Sequence, residues 1–231
     1  MTTLPLLALF AVAATEPADT TRFALTVTMA SAITPEADAQ PQEQVIETSA
    51  WLQIAPPPAG GVVRIVIDSG RGSTTGFAME HGVNAEALRG MTLHVNTAAS
   101  GASTSAVTGA GDHLVGGVLQ DVLGFVRYRS PAAVGADTLN ATADGGHWRS
   151  TRTIAWERIG ESWQGSIAGA ISEREPGTSS GSESGTVVLR TDGAGALEGA
   201  TVAVQRDLSI TSDRGTVLVR QTIRATLARI P

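Results

Sequence analysis

The sequence contains no cysteine and no lysine, since all 16 of its basic residues are arginine. Without cysteine there is no disulfide, no thiolate nucleophile and no cysteine-ligated zinc or iron–sulfur site. Without lysine there is no Walker A phosphate loop and no Schiff-base chemistry. The net charge of −6 over 231 residues argues against a nucleic-acid-binding face, which is basic. We therefore expect no cofactor and no nucleic-acid partner.

Most of the sequence alternates apolar and polar residues with a period of two, which is typical of half-buried β-strands. In the first such segment, Phe23, Leu25 and Val27 share one face. About a dozen segments of this kind, without the alternation of strands and helices that marks a parallel sheet, predict a mainly β protein. A sheet of this size must curl or split, so we expect a large curved antiparallel sheet, as a half-barrel or as two layers. The Gly/Ser/Thr-rich stretches 68–76 and 175–185 are predicted as loops.

Residues 112–126 carry the one long helical pattern, because Leu114, Val118 and Val122 recur on one stripe at helical spacing. Gly116 and Gly117 weaken this prediction, and a hairpin turn at the two glycines is the alternative. A second short helix is predicted at 85–89, ending at a glycine. We predict a single domain over 15–231, with two β-rich halves around the helix.

The chain begins with an apolar run from Leu4 to Ala14 that stops abruptly at polar residues. Eleven residues are too few to span a bilayer, which needs about 20. The length suits the apolar part of a secretory signal peptide, although no basic residue precedes it. We predict a signal peptide at 1–14 and an exported protein, periplasmic or extracellular. The alternative is a buried first element in a cytoplasmic protein.

Candidate catalytic residues are few. The four histidines are His81, His94, His113 and His147, and none has the spacing of a metal-ligand motif, so no metal site is predicted. No Gly-x-Ser-x-Gly nucleophile turn is present. The sequence therefore favours a protein that is not an enzyme. A hydrolase with a histidine and a carboxylate brought together from distant positions remains an alternative.

Three of the four tryptophans lie in one predicted hairpin, although aromatic residues make up only 4% of the chain. Core packing beneath the helix is the simplest explanation. The functional alternative is an apolar cavity between sheet and helix, which would bind a lipid or another apolar small molecule. The candidate ligand-binding residues are then the tryptophans and the helix stripe: Trp148, Trp156, Trp163, Leu114, Val118 and Val122.

Two short motifs resemble an uncharacterised family of exported bacterial all-β proteins. Gly90, Thr92 and Leu93 match its Gly-x-Thr-Leu strand, and the segment 134–138 matches its Val-Gly-Asp-Thr element with one alanine inserted. The resemblance implies export and an all-β fold but no catalytic residues. In architecture the expected fold is also similar to periplasmic lipoprotein carriers, an analogy that concerns the fold alone.

These observations together predict an exported bacterial β protein that is not an enzyme and that binds an apolar ligand or a partner in the cell envelope. The alternatives are the hydrolase and a structural module that assembles through the edge of its sheet.

Overall fold

The computed structural model describes residues 20–35, 40–55, 62–76, 89–96, 105–108, 113–128, 131, 134–142, 148–173, 179–212 and 215–231. These ranges hold eleven strands and one helix. In chain order they are β1 (Thr21–Thr34), β2 (Gln42–Ile54), β3 (Val62–Gly76), β4 (Thr92–Asn96), β5 (Ser105–Thr108), α1 (His113–Phe125), β6 (Gly135–Thr142), β7 (Trp148–Ile159), β8 (Ser162–Glu173), β9 (Ser180–Thr191), β10 (Leu197–Ser212) and β11 (Gly215–Arg229).

All eleven strands belong to one sheet in the order β5-β4-β3-β2-β1-β11-β10-β9-β8-β7-β6. Every neighbouring pair is antiparallel. The two β-rich halves meet where the first strand pairs with the last, over the register Phe23↔Arg229 to Thr34↔Leu218. Strands β5 and β6 form the two edges, and within the described residues no ladder joins them. The predicted mainly β fold with a large antiparallel sheet is confirmed. The strands form one sheet and not two separate layers of sheet.

Alternation along the strands produces the core. In β1 the residues Phe23, Leu25, Val27 and Met29 are buried, whereas the side chains of Thr26 and Thr28 are exposed. Buried positions on the other strands share this face and join the helix in one hydrophobic cluster. Branched and aromatic side chains suit a pleated, half-buried surface, so the period of two places one face of the whole sheet inward.

The sheet curls around the helix. On one side α1 contacts β4, and on the other Asp121 of α1 forms an ion pair with Arg152 of β7. These strands are eight positions apart in the sheet, about 38 Å if the sheet were flat. A helix is only about 10–12 Å wide, so it reaches both strands only if the sheet bends around it.

The helix occupies His113–Phe125, close to the predicted 112–126, so the alternative of a hairpin turn at Gly116 and Gly117 is wrong. Val118 and Val122 of the predicted stripe are buried, and so are their neighbours Leu119 and Leu123. After the last turn, the buried Tyr128 hydroxyl donates a hydrogen bond to the Leu123 carbonyl at 2.9 Å. The same carbonyl also accepts from the Val126 N–H at 3.3 Å, so the tyrosine adds a second partner at the helix C-terminus.

Both predicted glycine-rich loops are wrong over most of their length. Strand β3 continues to Gly76, with a bulge where Trp51 pairs with Ser69 but Leu52 pairs with Ile67. The second stretch enters strand β9 at Ser180 and pairs along both sides. Neighbouring strands supply hydrogen-bond partners that outweigh the low β propensity of glycine and serine. Of the short helix predicted at 85–89, residues 85–88 lie outside the described residues, and Arg89 lies in a turn.

Candidate functional site

Four charged side chains meet between the sheet and the helix: Arg152 on β7, Glu183 on β9, Arg206 on β10 and Asp121 on α1. We call them the ion cluster. Glu183 accepts hydrogen bonds from Arg152 Nε and, at 3.1 Å, from Arg206 Nε. Asp121 accepts from Arg152 Nη2 at 3.2 Å and from Arg206 Nη1 at 2.7 Å. The two positive and two negative charges sum to zero.

The members of the ion cluster differ in access to solvent. The side chain of Glu183 is fully buried, and those of Arg152 and Arg206 are 4% and 9% exposed. The side chain of Asp121 is 33% exposed. Buried charges require partners, because transfer of an unpaired ion out of water costs several kcal/mol. The sheet therefore holds three charges in its interior, and the fourth comes from the helix at the solvent side.

The register of the sheet aligns the ion cluster. Arg152, Gly169, Glu183 and Arg206 are successive ladder partners across β7, β8, β9 and β10, so their side chains lie in one row. Arg152 and Glu183 are two strand spacings apart, about 10 Å, with Gly169 between them. A Cβ atom at Gly169 would lie 2.7 Å from Glu183 Oε1 and 2.8 Å from its Cγ. The glycine leaves the space in which Glu183 and Arg152 meet.

The electrostatics of the helix carboxylate follow from these contacts. Burial acts to raise the pKa of Asp121, but the charges of Arg206 and Arg152 and the hydrogen bonds from both outweigh it. The pKa of Asp121 is therefore lowered, and the carboxylate is ionised at neutral pH. For Arg206, burial acts to lower the pKa, but Asp121 and Glu183 raise it above its ordinary value. All contacts thus favour the charged forms.

The helix also contributes an aromatic contact to the ion cluster. The guanidinium of Arg152 lies over the ring of Phe125, 4.3 Å from its centroid. Asp121 and Phe125 are four residues apart and so lie on the same face of α1. Together they attach this face of the helix to β7 and β10. A cation over an aromatic face in a desolvated setting adds further stabilisation to the attachment.

One nitrogen of the ion cluster is not used. Arg206 Nη2 is buried and has no hydrogen-bond partner among the described residues. An unsatisfied buried donor is costly, and native proteins seldom keep one without a reason.

Beyond the row of the ion cluster, the inward face of the sheet continues with aliphatic side chains that are only half-buried. Leu208 lies two residues after Arg206 on the same face, and it pairs with Val219, which pairs in turn with Ile33. Ile210 and Val217 extend the same surface towards the β10–β11 turn. We call these five residues the apolar strip. It adjoins the ion cluster directly.

The predicted ligand-binding residues lie mostly in the packed core. Trp156 is 3% exposed and Val118 and Val122 are 7% and 1% exposed, all within one hydrophobic cluster, and Trp163 packs against that cluster. Trp148 lies at the start of β7 and Leu114 in the first turn of α1. The side chains of Trp148 and Leu114 lie outside the described part of the structure. Four of the six residues are thus brought to one interior, where they fill space.

The histidines do not form a described site. His94 lies on β4 and His113 on α1, while His81 and His147 lie outside the described residues. Among the described residues, no three His, Asp or Glu side chains are grouped closely enough to hold a metal ion. No histidine side chain is among those that the structure describes, so the hydrolase alternative stays a prediction.

None of the residues of the ion cluster was predicted as a site. Arg152 has the same parity as Ile154 and Trp156, and Arg206 follows Val202 and Val204 at the same spacing, so an arginine at an inward position was a readable signal. Glu183 gave no such signal, because its strand is rich in glycine and serine.

Comparison of the sequence with protein-family models and with curated proteins gives no match. The resemblance to an exported all-β family therefore stays a prediction. In the part of the chain that the structure describes, no helix has the length and apolar content needed to cross a membrane.

Proposed function

We propose that this protein is a binding protein, not an enzyme, which holds an apolar ligand on the inward face of its sheet. The observation that carries the proposal is the apolar strip. In the hydrophobic cluster that includes helix residues the same face is packed and buried, as at Val204 and Ile223, whereas the strip remains half-buried. A concave apolar surface bordered by a few polar groups is typical of small-molecule sites.

A fluorescent neutral probe tests the proposal. Nile red brightens when it leaves water for an apolar site, so we expect saturable binding to the intact protein. Val219→Asn places an amide in the strip and removes apolar contact area worth about 1.5 kcal/mol or more. We expect this variant to weaken Nile red binding by roughly tenfold.

The neighbouring residue offers a matched control. Leu218 is 49% exposed, and because adjacent residues of a strand face opposite sides it lies on the convex face of the same strand. Leu218→Asn makes a comparable change there, and we expect it to leave the affinity unchanged. Absence of saturable binding, or equal losses in the two variants, would contradict a ligand site on the strip.

We further propose that the protein acts outside the cytoplasm, in the periplasm or beyond the cell. The support is the apolar run Leu4–Ala14 followed by polar residues. N-terminal sequencing of the protein recovered from bacterial fractions tests this. A mature chain that begins near residue 15 in the exported fraction is the expected result. A cytoplasmic chain that begins at Met1 or Thr2 would contradict it.

A further inference from the structure

The charges that the sheet contributes to the ion cluster do not balance. Strands β7, β9 and β10 supply Arg152, Glu183 and Arg206, which leave one positive charge in excess. The balancing charge is Asp121, which belongs to the helix. Without that carboxylate the interior of the sheet would hold an uncompensated arginine, and this would attract an anion.

The two carboxylates of the cluster are not equivalent. Glu183 is fully buried, and each of its oxygens accepts from one arginine Nε. Asp121 is one-third exposed and accepts from the outer nitrogens, Arg152 Nη2 and Arg206 Nη1. Glu183 therefore holds the two guanidinium groups in place from the buried side of the cluster. The outer nitrogens face one carboxylate that solvent can reach and that another anion could replace.

A spare donor is present at the same place. Arg206 Nη2 is buried, its side chain is 9% exposed, and no described residue accepts from it. Asp121 uses only Nη1 of this guanidinium. An incoming carboxylate could accept from both Nη1 and Nη2 of Arg206, in the bidentate arrangement that arginine favours with carboxylates.

From these observations we infer that Asp121 is a built-in occupant of a carboxylate-binding site, and that the ligand is a single-chain amphiphile with a carboxylate head group. The head group replaces Asp121 between Arg152 and Arg206, and the chain lies along the apolar strip, which begins at Leu208 on the same face. The charge of the sheet selects the acid, and the adjoining aliphatic side chains select the chain. This inference rests on the proposed function and names the ligand class of the same site.

Two ligands of equal chain length test it. Laurate and lauryl alcohol differ only in the head group, and each is measured by displacement of Nile red at neutral pH. In Asp121→Asn the internal carboxylate is absent and the sheet keeps its excess positive charge. A hydrogen bond to a charged group is worth more than one to a neutral group, so an asparagine competes less with the laurate head group than the natural aspartate does. We therefore expect laurate to bind roughly tenfold more tightly to Asp121→Asn than to the natural protein. The affinity for lauryl alcohol should not change.

The control variant removes the same charge from the opposite face. Asp207 adjoins Arg206 in β10, but its side chain is 50% exposed and pairs with Arg220 on the outer surface. Asp207→Asn changes the net charge of the protein equally, so a general electrostatic effect would appear in both variants. We expect the ratio of laurate affinity to alcohol affinity to rise only in Asp121→Asn.

Circular dichroism first establishes that each variant is folded. If Asp121→Asn does not fold, Arg206→Lys decides: it keeps the charge but removes the forked donors, and we expect the laurate-to-alcohol ratio to fall roughly tenfold. An unchanged ratio in a folded Asp121→Asn or Arg206→Lys, with the alcohol still bound, would overturn the carboxylate site and leave the proposed function intact. Failure of both Nile red and lauryl alcohol to bind would instead overturn the proposed function.

Discussion

Gly169 allows a test of the ion cluster by a single methyl group. Replacement of a strand glycine by alanine ordinarily stabilises a protein by about 0.4–1 kcal/mol, because it restricts the unfolded chain. At Gly169 the added Cβ would lie 2.7 Å from Glu183 Oε1 and 3.0 Å from the Thr151 carbonyl oxygen. Glu183 cannot move aside freely, since both of its oxygens are bonded to buried arginines.

Overpacking of a tight interior costs about 1–3 kcal/mol, so the net effect of Gly169→Ala is a loss of about 1–2 kcal/mol. In a protein of this length that corresponds to a fall in Tm of about 2–8 °C. Thermal unfolding followed by circular dichroism, with urea unfolding as a second measurement, reads out the change.

Gly124 in α1 is the matched control, because a Cβ there would meet no atom within 4 Å. Gly124→Ala should stabilise the protein by about 1 kcal/mol through helix propensity, so the two glycines predict opposite signs. In a Glu183→Ala background most of the cost of Gly169→Ala should disappear, since the two nearest atoms, Glu183 Oε1 and Cγ, are gone. A Gly169→Ala protein as stable as the natural one would refute the claim that this glycine makes room for the cluster.

Two further predictions concern the charges. Glu183→Gln leaves two buried arginines with one partner, and we expect a loss of about 3–5 kcal/mol in urea unfolding, whereas Arg220→Gln breaks an exposed pair and should leave the midpoint nearly unchanged. Equal midpoints for the two variants would contradict the buried role of Glu183. The lowered pKa of Asp121 contributes stability that is fully present above its unfolded value of 3.8 and is lost as the pH falls through the lower folded value. The difference in unfolding free energy between the natural protein and Asp121→Asn should therefore be constant above about pH 4 and shrink in stronger acid; a difference that stays constant into strong acid would count against the ion pairs.

The sequence pattern indicates some residues of the candidate site and gives no sign of the others. Arg152 and Arg206 have the parity of buried neighbours, so a period of two indicates an inward charge at each. Glu183, which pairs with both arginines, has no such pattern. It lies in a glycine- and serine-rich stretch that resembles a loop in sequence, and it becomes a strand because strands on both sides pair with it. Asp121 lies within the segment that carries the apolar stripe, directly before Val122, and no local pattern indicates its contact with the sheet.

The exposed ion pair between Arg220 and Asp207 depends on fewer chain segments than the ion cluster does. Arg220 of β11 donates a hydrogen bond to Asp207 of β10 across one hairpin, over 2.8 Å. Such a pair needs only that hairpin and its register. The ion cluster needs three strands and a helix from distant parts of the chain.

The sequence by itself determined the fold class: the period of two predicts strands, the absence of strand–helix alternation favours an antiparallel sheet, and the stripe at 112–126 predicts one helix. Those patterns depend on residues two to four apart, where backbone geometry decides which side chains share a face. Only the tertiary structure decided that the sheet is single, that it bends around the helix, and that Arg152, Glu183 and Arg206 meet Asp121. These outcomes depend on strand order and register over long separations, because a buried charge takes its partner from whatever chain segment the fold brings beside it.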